Sequence, residues 1–188
     1  MIDLPRIEVL AATLHEGQFD KGGIAYIEHP RAVATALEPF GPTVVAAGLL
    51  HDVLEDCLEH LPSVQAKEAY LLDQGVPTEV VAVVRAVTRV PGPTYMEMIA
   101  EIAKSPLALN AATTARLGLE AAPPMPALVK LADNGHNSLE SRSAALAEDL
   151  RAFLAKRYGK ARQVLTDALG DRVSGMILQR VGIVSARP

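Results

Sequence analysis

Apolar residues recur at the helical period along nearly the whole chain: Ile7, Leu10, Ala11 and Leu14 share one face, as do Val80, Val83, Val84 and Val87. Alternating strand patterns are hard to find, so the expected fold class is all-α. Pro30, Pro42, Pro77 and Pro106 each stand where a helix can begin, because proline's fixed φ suits a first turn and its missing N–H leaves no bond unmade there. The pattern predicts helices over about 4–16, 30–39, 42–56, 63–74, 77–89, 94–103, 107–120, 124–138, 142–168 and 171–181. Pro123, Pro124 and Pro126 cannot continue a helix together and predict a bent connection.

A chain of 188 residues, 49% of them hydrophobic, holds enough for one sizeable core, and a single domain over 1–188 is expected. The balance of 18 Lys+Arg against 22 Asp+Glu, a formal charge of -4, provides no basic stripe for a nucleic-acid backbone. A single cysteine, Cys57, excludes an internal disulfide and suits a reducing compartment. The start, MIDLPRIEVL, does not read as a signal peptide, and no apolar run approaches the roughly 20 residues of a membrane span. The expectation is a cytoplasmic protein with neither nucleic acid nor membrane as partner.

Within an apolar stretch, LLHDVLEDC places His51, Asp52, Glu55 and Asp56 in six residues. On a continuous helix the three acids lie roughly 100°, 40° and 140° around from His51, so the four groups share one sector. Carboxylates gathered there repel one another and lose hydration unless a cation or water fills the space. Imidazole beside carboxylate suits Mn²⁺, Fe²⁺ or Zn²⁺ better than Ca²⁺. The string alone is equally compatible with a solvated acidic helix end whose histidine caps or packs. A metal needs further donors, since only His51 and Asp52 reach one ion comfortably while Glu55 and Asp56 face its open side. Two other stretches offer them: His29 in YIEHP, and Asp133 in LVKLADNGHN, with Asn137 one turn later on the same face.

Together these stretches resemble the HD-domain metal-dependent phosphohydrolases, specifically the RelA/SpoT-type alarmone hydrolase branch. That branch shows A-H-x-G-Q-x-R-K-x-G-x-P-Y-I-x-H-P, then L-L-H-D-x-x-E-D, then V-K-L-A-D-x-x-H-N; this chain has TLHEGQFDKGGIAYIEHP, LLHDVLED and VKLADNGHN in the same order. The match spans most of residues 5–165, and VTRVPGPTYMEMI and RAFLAKRYGKARQVL also look like small members. The resemblance implies an HD-domain helical bundle in which His29, His51, Asp52 and Asp133 hold one metal ion, usually Mn²⁺, with other divalent transition metals as alternatives. It assigns Glu55 and Asp56 to positioning and deprotonating the attacking water, and Lys21 and Asn137 to the nucleotide site. Tyr26 and His15 match positions that look structural. The implied activity is release of pyrophosphate from the 3′ position of a (p)ppGpp-like nucleotide, of guanosine or adenosine type. The alternatives are another phosphorylated nucleotide or phosphoester as substrate, and a nucleotide sensor without turnover.

The chain departs from the pattern at Asp20, where the branch has an arginine, and at Ala25, where it has proline. An arginine can stack on a base or pair with phosphate, whereas an aspartate is expected to repel the substrate. Roughly twenty further residues, SPLALNAATTARLGLEAAPPMPA, precede the third motif and read as an extra helix and a proline-bent connection, more often packing than a lid. His60 reads as a surface residue, His136 as standing behind a ligand or exposed, Cys57 as packed, Lys130 as a snorkelling stem, and Arg89 and Arg142 as surface partners.

Overall fold

In the computed structural model, residues 2–183 are described, and they form helices with only two isolated β-bridges among them. The helices are α1 (Leu4–Leu14), α2 (Glu28–Ala36), α3 (Pro42–Leu50), α4 (Val53–Asp56), α5 (Val64–Asp73), α6 (Thr78–Val87), α7 (Tyr95–Ala103), α8 (Ala111–Arg116), α9 (Met125–Asn137), α10 (Glu140–Ser143) and α11 (Glu148–Arg180), with a 3-10 turn at Glu38–Phe40. The all-α expectation holds. No helix among the described residues is long and apolar enough to cross a membrane.

PTVVAAGLL is apolar on every side, so α3 must be enclosed. It runs through the core with Val44, Ala46, Ala47 and Leu50 fully buried, surrounded by α1, α2, α6 and α9. Helix α9 lies beside it and packs in turn against α2, α6, α7 and α11. Gly48 sets the closest approach of α2 and α3: a Cβ there would stand 2.9 Å from Leu37 Cδ1 and 3.2 Å from Ala34 Cα. The two helices pack side by side, with the residue after α3, His51, reaching His29 in the first turn of α2.

Three expected helices are corrected. The run 42–56 is not continuous, because His51 and Asp52 form a turn between α3 and α4. His51 Nδ1 meets the Gly48 carbonyl at 2.8 Å, the oxygen that the Asp52 N–H would take in an unbroken helix. The expected helix 107–120 shrinks to Ala111–Arg116, since its flanks pair with each other: Leu109 N–H donates to Pro123 O at 2.9 Å and Met125 N–H to Leu107 O at 2.8 Å. Pro106 accordingly lies outside any helix. The extra segment is pinned to the body by Arg116, donating to Pro39 O, and by Arg172, donating to Gly118 O. Finally, the helix expected from residue 142 begins at Glu148 after the short α10, and it runs to Arg180 with a break at Gly170 (φ 76°, ψ 156°), where the pattern predicts the boundary between two helices.

Candidate metal centre

Three helices converge on one small volume. His29 lies in the first turn of α2 and is 1% exposed; His51 follows α3 and is 2% exposed; Asp133, on α9, is 6% exposed. One ligand atom from each of these residues lies within 4.8 Å of the others. Asp52 joins them: its Oδ2 is 3.0 Å from His51 Nε2 and 3.5 Å from His29 Nε2, while Asp133 Oδ1 is 3.3 Å from His29 Nε2.

The imidazole nitrogens facing away are already engaged. His51 Nδ1 is spent on the Gly48 carbonyl, and His29 Nδ1 stands 2.7 Å from His136 Nδ1. Both Nε2 atoms therefore point inward, 3.2 Å apart. Two imidazole nitrogens and two carboxylate oxygens make a donor set that fits a divalent transition metal.

The electrostatics match. Burial opposes charge on His51, but Asp52 and Asp133 outweigh it and push the imidazole up to about 9. Burial wins at His29, lowering it, and burial with the neighbouring His29 takes His136 down to about 4. Burial would raise Asp133, yet Lys130 and the two histidines hold it well below the usual carboxylate range; Lys130 Nζ lies 2.8 Å from Asp133 Oδ2. Asp52 is likewise lowered, because the charge on His51 overcomes its burial.

Glu55 and Asp56 follow the break at His51–Asp52 and diverge. Asp56 accepts from the Tyr26 hydroxyl at 3.2 Å, and the same hydroxyl reaches Asp52 Oδ2 at 2.8 Å, so Tyr26 spans the acid and the cluster. Burial, then the two carboxylates, lift the phenol far above its ordinary range and keep it an O–H donor. Glu55 Oε1 accepts from the Arg89 backbone N–H at 2.6 Å. Burial raises the pKa of both acids, and Asp52 adds to the shift.

Beside the cluster opens a cavity of about 520 Å³ lined by Phe19, Lys21, Tyr26, Asn137, Arg142 and Arg162, among others. Lys21 is exposed there, and Asn137 Nδ2 donates to Asp133 Oδ1 at 2.5 Å, tying the cavity wall to the cluster. Asp20 does not project a free charge. Its Oδ1 accepts from the N–H groups of Gly22 and Ile24, both at 2.9 Å, and its Oδ2 pairs with Arg142 at 3.2 Å. The repulsion expected of this aspartate is therefore neutralised within the protein.

Sequence reasoning leaves several contributors without their contacts. Tyr26, read as structural, bridges Asp52 and Asp56 across 26 and 30 residues, which no local pattern signals. His136, read as standing behind a ligand or exposed, meets His29 itself, and Lys130 holds Asp133 in preference to merely covering apolar surface. Gln18, whose side chain donates to the Asp56 carbonyl at 2.9 Å, has no signal beyond its place in the first motif. Cys57 is buried, its thiol raised by burial to about 11, and His60 is exposed, as expected of both.

Residues 8–157 match the family described as HD domain. A GTP pyrophosphokinase of Streptomyces coelicolor is 46% identical over 55 residues, 28% of this chain and 6% of that protein. A probable guanosine-3′,5′-bis(diphosphate) 3′-pyrophosphohydrolase of Synechocystis sp. is 41% identical over 71 residues, 35% of this chain and 9% of that protein. The chain thus spans less than a tenth of the length of these two relatives. A solved structure, that of a metazoan ortholog of SpoT that hydrolyzes ppGpp and plays a role in starvation responses, superposes with a TM-score of 0.63 at 21% identity, covering 98% of both chains, and shares the fold.

Proposed function

The chain belongs to the HD-domain family, and from that premise we propose that it is a metal-dependent 3′-pyrophosphohydrolase acting on (p)ppGpp-like nucleotides, with Mn²⁺ as its first metal and other divalent transition metals as substitutes. The observation that carries this reading is the convergence of His29, His51, Asp52 and Asp133 from three motifs beside two acids and a cation-lined cavity. The two relatives named above, whose names concern guanosine polyphosphate chemistry, support it.

On this reading His29, His51, Asp52 and Asp133 would hold one cation, which would supply a Lewis acid for water and for the phosphoryl charge. Glu55 and Asp56 take the proton from the attacking water. Their raised pKa values make them stronger bases than ordinary carboxylates. The Arg89 N–H and the Tyr26 hydroxyl hold them in place. Lys21 and Asn137 face the nucleotide in the cavity. Water attacks the phosphorus joined to the 3′ oxygen, and the bond between them breaks. The 3′ oxygen departs and takes up a proton to become a hydroxyl, and pyrophosphate is released carrying the water oxygen, so no covalent enzyme intermediate is needed.

A panel of ppGpp, pGpp, pppApp and nucleoside monophosphates, with saturating Mn²⁺, tests the assignment. Pyrophosphate release from the 3′-pyrophosphates is expected. Turnover of a monophosphate alone would move the protein to a different phosphohydrolase substrate, a reading motivated by Asp20 in the arginine position; tight binding without turnover would make it a sensor.

A further inference from the structure

Phe19 is an aromatic ring left 67% exposed while it lines the cavity beside the metal cluster. Single exposed apolar residues are ordinary on protein surfaces, but the backbone that carries this one is fastened on both sides. The backbone on either side is closed into a small hairpin: Tyr26 N–H donates to Gln18 O at 2.9 Å, and Asp20 N–H to Ile24 O at 2.8 Å. Gln18, immediately before, is fastened by its side chain to the Asp56 carbonyl. Asp20, immediately after, is fastened to Arg142. An exposed aromatic face at the wall of a cavity that also presents Lys21 and Arg162 matches a ligand with both phosphates and a planar ring.

On the strength of the nucleotide reading above, we propose that Phe19 is the stacking platform for the nucleobase and makes the site tolerant of guanine and adenine alike. Every base has a π-face, so stacking does not distinguish them. Discrimination for guanine would come from a carboxylate accepting from its N1–H and amino group, and Asp20 is the acid on this wall. Both its oxygens are already engaged, by Gly22 and Ile24 and by Arg142. The acid on this wall is therefore not free to read the edge of the ring.

The test compares wild type with Phe19→Ala, Phe19→Tyr and Phe19→Trp, on guanosine and adenosine 3′-pyrophosphates and on a base-free ribose 3-pyrophosphate. Wild type should use the two nucleotides with kcat/KM values within about tenfold. Phe19→Ala should raise KM for both by about 5- to 100-fold with kcat kept. Tyr and Trp should restore KM, and the base-free compound should be indifferent to all three changes. Unchanged KM in Phe19→Ala, or an equal loss on the base-free compound, overturns the platform; a preference for one base beyond a hundredfold overturns the tolerance. Calorimetric binding of GDP and ADP separates this claim from the activity. If wild type hydrolyses no 3′-pyrophosphate yet Phe19→Ala weakens both diphosphates by the same factor, the hydrolase reading falls and the platform stands. If GDP and ADP bind equally to wild type and Phe19→Ala, the platform falls whatever the turnover.

Discussion

His136 stands directly behind His29, with the two Nδ1 atoms 2.7 Å apart. For His29 Nε2 to offer a lone pair to a cation, its proton must sit on Nδ1 and be accepted by His136. His136→Phe should therefore weaken Mn²⁺ binding by about 10- to 100-fold, and His136→Asn, which keeps an acceptor, should recover part of it. Titration calorimetry reads this, and an unaltered affinity in the Phe variant would mean that His29 keeps its tautomer unaided. The same scale separates ligands from acids. Asp52→Ala should abolish metal binding, whereas Glu55→Ala should leave the metal bound and lower kcat by roughly 10²- to 10⁴-fold. Equal loss of metal in both would contradict the division of roles. These partners were only partly legible in the sequence. The family resemblance implied His29, His51, Asp52 and Asp133 as ligands, but nothing in a linear pattern says that Arg142 will fold back to neutralise Asp20 across 122 residues.

At the level of elements, the site depends on the contact between α2 and α3. Gly48→Ala would force a methyl group against Leu37 and the Ala34 backbone, and overpacking of this kind costs about 1–3 kcal/mol. Thermal melting should show a clear drop in Tm, and an unchanged Tm would mean that the helices can part without loss. The break between α3 and α4 was not visible to periodicity: His51 Nδ1 sits at the Gly48 carbonyl where the break occurs, a side-chain contact that hydrophobic spacing does not register. The Gly170 break, by contrast, was visible, since the glycine itself interrupts the pattern. The charges held by these elements also set a pH dependence for the metal-free protein. His51 is raised from 6.5 to about 9, so its stabilising contribution is complete below 6.5 and is lost as pH rises through about 9. Asp52 and Asp133 are lowered from 3.8, so theirs is present above 3.8 and lost as pH falls well below it. Tm of the metal-free protein should fall between pH 7 and 10, and a rise across that window would contradict the charge arrangement.

Across the whole molecule, the helices carry the first, second and third motifs to one point and leave the acids and the cavity on its open side. The bundle was legible because helical periodicity and prolines mark helices directly. In the extra segment the added helix and the proline-bent connection were legible too, but not their extent, because the flanks are set by the pairing of Leu107 and Leu109 with Pro123 and Met125, a tertiary event. Its ties to Pro39 and Arg172 make it a clip on the bundle. Metal binding and chemistry are expected to belong to one site. The direct test is to strip the protein with a chelator, measure its metal content, restore one equivalent of Mn²⁺, and follow pyrophosphate release from ppGpp at each stage. The account predicts no release from the stripped protein and full release once about one ion is bound. Release that continues without metal, or none when one ion is bound, would contradict it.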